Sequence, residues 1–133
     1  MLLPVALLSS AALAVGCGGA DDDRDTAARA AAAAFERALA AEDTTALCAA
    51  LAPGTRDELE ASAKAPCTRS ITAEELPAGG APRTVDVYGR QARVVLDADT
   101  LFLSRFPGGW KVVAAGCRPD GADRPYKCAV KGG

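Results

Sequence analysis

The chain contains no histidine. That excludes a Ser-His-Asp or Cys-His nucleophile pair and every imidazole metal ligand, and it removes the side chain that most often exchanges protons near neutral pH. Large apolar side chains are scarce too: 133 residues include one Trp, two Tyr, three Phe and one Met. The hydrophobic share reaches 50% because alanine supplies much of it, and alanine buries little area. At about 25 cal/mol per Å² of apolar surface removed from water, such a chain builds a modest core and gains from covalent staples. Neither sign of charge dominates. Fifteen Lys and Arg against 17 Asp and Glu leave no basic field for nucleic acid and no acidic tail for a basic partner. No cofactor motif and no catalytic set is present, and the length fits one domain rather than two.

What is present begins at the N-terminus. Leu2 to Val15 is a nearly unbroken apolar run, shorter than the roughly 20 residues a helix needs to cross a bilayer. It fits the hydrophobic region of a secretory signal. No Lys or Arg precedes it, which points to a start upstream of Met1. Directly after it, Ala14-Val15-Gly16-Cys17 resembles the lipobox of bacterial lipoproteins, in which small residues precede a cysteine that is diacylated before cleavage. Ala14 stands where that pattern more often has Leu. The resemblance implies that residues 1–16 are a lipoprotein signal peptide and that Cys17 carries a lipid. That lipid would anchor the chain to the extracytoplasmic face of the cell membrane. Residues 17–25, with Gly18-Gly19-Ala20-Asp21-Asp22-Asp23, read as a flexible charged tether. Residues 26–130 then form the single domain, and 131–133 a tail.

With Cys17 lipidated, Cys48, Cys67, Cys117 and Cys128 remain. An even number of cysteines in an exported chain reads as disulfides. Three pairings are open, and sequence locality favours Cys48–Cys67 with Cys117–Cys128. Each bond would contribute about 3 kcal/mol through the entropy of the unfolded chain. A metal site is the weaker reading, because neither pair has CxxC spacing and no His completes a ligand set.

Along the domain, a helix is expected to open at Asp25 or Thr26 and run through Ala27–Ala41, burying Ala28, Ala31, Phe35, Ala38 and Leu39 at three- and four-residue spacing. Asp43 caps a second helix over Thr44–Ala52, with Leu47 and Leu51 inward, stopped by Pro53-Gly54. Thr55-Arg56-Asp57-Glu58 forms a capping-box pattern for a third helix reaching about Lys64. From Thr68 to Arg83 the signal is poor, with Ile71 and Leu76 the residues placed to dock.

The period then changes to two. Thr84–Tyr88, Gln91–Asp97, Thr100–Phe106 and Gly109–Gly116 read as four antiparallel strands joined by turns at Gly89-Arg90, Ala98-Asp99 and Pro107-Gly108. Those turns set the register. Val87 is expected opposite Ala92 and Val85 opposite Val94; Leu96 opposite Leu101 and Val94 opposite Leu103; Leu103 opposite Val112 and Arg105 opposite Trp110. Val85, Val87, Ala92, Val94, Leu96, Leu101, Leu103, Trp110, Val112 and Ala114 then face the helices. Asp86, Tyr88, Arg93, Val95, Phe102, Ser104, Lys111 and Val113 make a mixed second face. Tyr126, inside the polar Cys117–Cys128 loop, folds back onto the sheet.

This order is similar to the NTF2-like lipoproteins of high-G+C bacteria. The resemblance rests on Ala46-Leu47-Cys48-Ala49-Ala50-Leu51-Ala52-Pro53, Thr55-Arg56-Asp57-Glu58-Leu59, Val85-Asp86-Val87-Tyr88-Gly89, Leu101-Phe102-Leu103 and Gly109-Trp110-Lys111-Val112-Val113-Ala114-Ala115-Gly116-Cys117. It implies an α+β cone, NTF2-like or cystatin-like, with N-terminal helices on a curved antiparallel four-stranded sheet. The group is functionally unassigned. Other NTF2-like families place isomerase, dehydratase or hydrolase chemistry in the cone, and none of their site residues transfers here.

Two functional readings follow. One is a noncatalytic binding module that holds a small apolar ligand in the cone, or takes a partner protein or a second copy on the mixed sheet face. Its candidate pocket or interface residues are Asp86, Tyr88, Arg93, Val95, Phe102 and Trp110. The other is an enzyme with a cavity carboxylate, Asp86 with Tyr88 near Arg93, whose pKa an apolar pocket would raise. An outward-facing Asp–Arg pair on a solvated sheet is the ordinary account of the same residues.

Overall fold

A computed structural model describes residues 19–132. The apolar run at 1–16 and the lipidation candidate Cys17 lie outside them. Among the described residues are four helices followed by five strands: α1 Gly19–Ala40, α2 Thr44–Ala50, α3 Pro53–Ala63, α4 Cys67–Ala73, then β1 Pro82–Tyr88, β2 Gln91–Leu96, β3 Thr100–Phe106, β4 Gly109–Arg118 and β5 Lys127–Lys131. No helix of these residues is long and apolar enough to cross a membrane.

Helix α1 starts at Gly19, so residues 19–25 are helical where a flexible tether was expected. The acidic run that suggested a tether suits a helix start, because Asp21 and Asp22 occupy the first turn at the positive end of the dipole. Arg24 pairs with Asp21 three residues away, and the alanines that follow are the strongest helix formers. Ala28, Ala32, Phe35 and Ala38 form the buried stripe.

The α2–α3 junction corrects a second expectation. Leu51 is extended and Ala52 leaves the helix with it, and the pair makes a single bridge to the sheet. Leu51 pairs in parallel with Val112, and the Ala52 amide donates to the Val112 carbonyl at 2.8 Å. Pro53 therefore opens α3 instead of stopping α2; at a first helical position its missing N–H leaves no bond unmade. Thr55 lies inside the helix, 1% exposed, and its hydroxyl donates to the Val113 carbonyl at 2.9 Å. The capping box is not formed. Helix α4 has weak intrinsic signal and is fixed at its first residue. The Cys67 amide donates to the Glu60 carboxylate at 2.9 Å, and the Cys48–Cys67 bond ties it to α2.

The sheet is an open meander in the order β1-β2-β3-β4-β5, antiparallel throughout. It therefore has five strands and not the expected four. The added strand lies beyond the Cys117–Cys128 loop: Cys117 opposes Cys128 and Ala115 opposes Val130, with the two cysteines disulfide-bonded. Pro, Gly and Asp dominate the preceding loop and mask this strand in sequence, and pairing with β4 creates it. Lys131 belongs to β5, and the Gly132 amide donates to Val113, so the expected tail at 131–133 is bonded through residue 132.

The first and third turns set the expected register, with Val87 opposite Ala92, Val85 opposite Val94, Leu103 opposite Val112 and Arg105 opposite Trp110. The second turn is Asp97-Ala98, closed by the Leu96 amide donating to the Asp99 carbonyl at 2.8 Å. Val94 consequently faces Leu101, and Ala92 faces Leu103. The slip is an even number of residues, so every face assignment across β2–β3 survives it. A bulge in β4 does change a face. Leu103 opposes Val112 while Phe102 opposes Ala114, so Val113 is the extra residue and Ala115, not Ala114, joins the core.

All four helices share one core with the inward sheet residues. Phe35, Val94, Leu101, Leu103 and Val112 are under 2% exposed, with Leu47, Leu59 and Ile71 around them. The space a hollow cone would leave between α1 and the sheet is filled by these side chains.

The Thr55 geometry makes a test. Thr55→Val should cost about 1 kcal/mol in urea denaturation, because a buried hydroxyl–carbonyl bond is lost. Glu58→Ala should stay within about 0.5 kcal/mol. A capping box at this helix start would instead make the Glu58 change costly.

Candidate functional site

The face turned away from the helices carries most of the candidate residues. Asp86, Arg93, Phe102 and Ala114 are successive cross-strand partners and form one row over β1 to β4. The Arg93 guanidinium donates to Asp86 Oδ2 from Nη2 at 2.8 Å and from Nε at 3.3 Å. Tyr126 covers Phe102 edge-on, ring centroids 5.1 Å apart, so the disulfide-bounded loop does fold back on the sheet. Val95 lies in the neighbouring row between Thr84 and Thr100, and Tyr88 ends the strand opposite Gln91, 65% exposed. Trp110 is not with them. It opposes Arg105 and packs against the helix-side core, sharing a cleft with Ala27 of α1.

The geometry of Asp86 decides its chemistry. Both members of the Asp86–Arg93 pair are more than one third exposed, and such a pair contributes little to stability or to a proton-transfer site. Its carboxylate is already engaged twice. The ordinary account of an outward-facing ion pair holds.

Two carboxylates of larger structural consequence were not anticipated, Asp99 and Glu36. Asp99 is 8% exposed. Its Oδ1 accepts from the Thr100 and Cys117 amides, each at 2.8 Å, and its Oδ2 from the Gly116 amide at 3.0 Å. In sequence it reads as a turn residue, and nothing local announces that its side chain reaches β4. Gly116 has φ 65°, and a Cβ there would lie 2.9 Å from that of Ala129, so glycine is required where β4 bends toward Asp99.

Glu36 projects from α1 toward the same region. Its Oε2 accepts from the Gly79 amide at 2.9 Å, while Oε1 is buried with no hydrogen-bond partner among the described residues. Gly79 is wedged so closely that a Cβ would sit 2.8 Å from Leu96 Cδ1 and 3.0 Å from Asp99 Cβ. Burial pushes the Glu36 carboxyl above its ordinary range; the Gly79 bond opposes the shift and the nearby Asp99 charge adds to it.

A further helix-side concavity lies apart from both groups. A cleft of about 470 Å³ between the end of α1, α2 and α4 has Leu39, Leu47, Ile71 and Leu76 in its lining, with Glu42 and Glu75 beside them. Those two glutamates have φ of 54° and 49°; each follows a helix end, where the left-handed conformation terminates the turn.

Two outcomes follow from the buried carboxylates. Because the folded Glu36 carboxyl sits above its unfolded value, its contribution to stability is present at acid pH and lost as pH rises through the folded value. Glu36→Gln keeps an acceptor for Gly79 without the charge. Urea denaturation should therefore show the wild type gaining on this variant from about pH 7 to about pH 5; the opposite trend would contradict the assignment. Asp99→Asn replaces one acceptor oxygen with a donor facing an amide and should cost about 2 kcal/mol or more at neutral pH. Comparison of the chain with protein-family models, with curated proteins and with solved structures found no match.

Proposed function

We propose that the protein is a membrane-anchored, extracytoplasmic lipoprotein whose domain is a noncatalytic binding module. The observation that carries this reading is how the cysteines are used. Cys48–Cys67 and Cys117–Cys128 are both bonded, as suits an oxidising compartment, and Cys17 is left over directly behind an apolar export-type run. The binding-module part draws on where the acidic residues are engaged. Asp99 is saturated by backbone amides, Asp86 is tied to Arg93, and the helix-facing side of the sheet is packed with aliphatic side chains and Phe35.

The order of helices before an antiparallel meander supports placing the domain with NTF2-like lipoproteins, in a version whose cone is filled. A small apolar ligand would take the cleft flanked by Leu39, Leu47, Ile71 and Leu76, since its volume falls in the range of small-molecule sites.

The anchor is tested by fractionating bacteria that express the chain. The wild type should sediment with membranes and require detergent for release, while Cys17→Ser should lose the acyl label from radiolabelled palmitate. Wild-type protein without acyl label in the soluble cytoplasmic fraction would overturn the reading.

A further inference from the structure

The end of the domain from which α1 departs is built differently from the rest of the surface. The β1–β2 turn, the β3–β4 turn and the first turns of α1 meet there around a cleft of about 570 Å³ that includes Arg24, Arg90, Arg105 and Phe106 in its lining and no carboxylate. Arg90 lies in the β1–β2 turn, one residue before the Gln91–Ser104 pair, and continues that register to stand opposite Arg105, whose amide donates to the Arg90 carbonyl at 2.8 Å. Like charges opposed on adjacent strands are unfavourable. Among the described residues neither arginine has a carboxylate partner, whereas Arg24 is paired with Asp21. An anion in the cleft that both arginines line would lessen that repulsion, and a guanidinium's fork suits a phosphate.

Aromatic residues surround the same end. Tyr88 precedes the first turn and is 65% exposed; Phe106 precedes the second, and Trp110 follows it, both half-buried. Three of the chain's six aromatic residues are therefore grouped with three arginines. Tyr and Trp beside cations is the composition of a membrane–water interface. The start of α1 adds Asp21, Asp22, Asp23 and Asp25 to this end, and Asp23 lines an adjoining cleft together with Arg24, Arg105 and Trp110. The end as a whole carries no net positive charge, and the excess of cations is confined to the cleft that Arg90 and Arg105 line.

We infer that this end docks on the membrane surface, Arg90 and Arg105 holding the phosphate of an anionic phospholipid headgroup with Tyr88, Phe106 and Trp110 at the interface. The inference rests on the lipid-anchor reading for its geometry: α1 begins at Gly19, two residues after Cys17, so an acyl chain on Cys17 brings this end toward the bilayer. Anchor and headgroup contact would then fix which way the domain faces.

The test uses the chain from residue 17 onward with Cys17→Ser, which retains the whole core but carries no lipid. Its single tryptophan, Trp110, reports from the site. Vesicles of phosphatidylcholine containing about one third phosphatidylglycerol should bind this chain and shift the Trp110 emission to the blue, and pure phosphatidylcholine should not. Arg90→Gln/Arg105→Gln should weaken binding by about tenfold or more with an unchanged melting curve. Arg118→Gln/Arg124→Gln, in the Cys117–Cys128 region, should leave binding intact. Absence of binding, equal loss in both double variants, or binding of inorganic phosphate without binding of vesicles would each overturn the inference. Acyl labelling of the wild type reports on the anchor independently, so an acylated protein whose unlipidated form ignores anionic vesicles refutes the docking and leaves the anchor standing.

Discussion

The Asp99 carboxylate holds together the part of the fold that local sequence preferences do not. It gathers the amides of Thr100, Gly116 and Cys117 onto two oxygens, and hydrogen bonds to a buried charge are worth more than neutral ones. This fixes the β2–β3 turn one residue earlier than the turn residues suggest. It also supports the bend in β4 at Gly116 and holds Cys117 at the position where Cys128 opposes it. β5 exists because of that pairing. A chain with few large side chains thus secures its last strand by a carboxylate and a disulfide instead of by apolar burial. On the other side, Glu36 approaches the same region from α1 and holds Gly79, at the cost of a carboxyl desolvated beside another.

Much of this fold is legible from the sequence, for identifiable reasons. β3 lies where alternation places it, and two hairpins have the expected register, because Gly89-Arg90 and Pro107-Gly108 combine turn chemistry with flanking period-two patterns. Locality picks the right disulfide pairs. Two kinds of failure separate. Tertiary contacts override local signals where Thr55 looks like a cap and is a buried donor to β4, and where Pro53 looks like a stop and, after the Leu51–Val112 bridge, is a start. The acidic residues at 21–25 look like a tether but begin a helix for local reasons, since they suit its first turn and precede an alanine run. α4 and β5 depend on covalent partners distant in sequence. Of the candidate residues, five share the outer sheet face because strand alternation reports faces well. Trp110 departs from them by the same alternation, and Asp99 and Glu36 stay invisible because nothing local reports a long-range carboxylate–amide bond.

The two sides and two ends of the domain divide its work. The helix side of the sheet is packed, and its concavity is displaced to the cleft among α1, α2 and α4. The opposite side carries the Asp86–Arg93 and Phe102–Tyr126 contacts, which tie neighbouring strands and the bridge loop without assembling reactive groups. One end gathers arginines and aromatics near the start of α1; the other holds Asp99, Gly79 and the Cys117–Cys128 bridge. Rigid ties at one end and an arginine-lined cleft at the other are compatible with the proposed module held at a membrane by the end where α1 begins.

In the proposed reading the four downstream cysteines brace an exported domain and Cys17 serves only as anchor. The decisive measurement is the intact mass of the native protein extracted from membranes, taken after thiol alkylation and followed by mapping of cysteine-linked peptides. The expected species begins at Cys17, carries a diacylglyceryl group, takes up no alkylating reagent, and yields Cys48–Cys67 and Cys117–Cys128 peptides. An unacylated Cys17 with alkylated downstream thiols would overturn this reading.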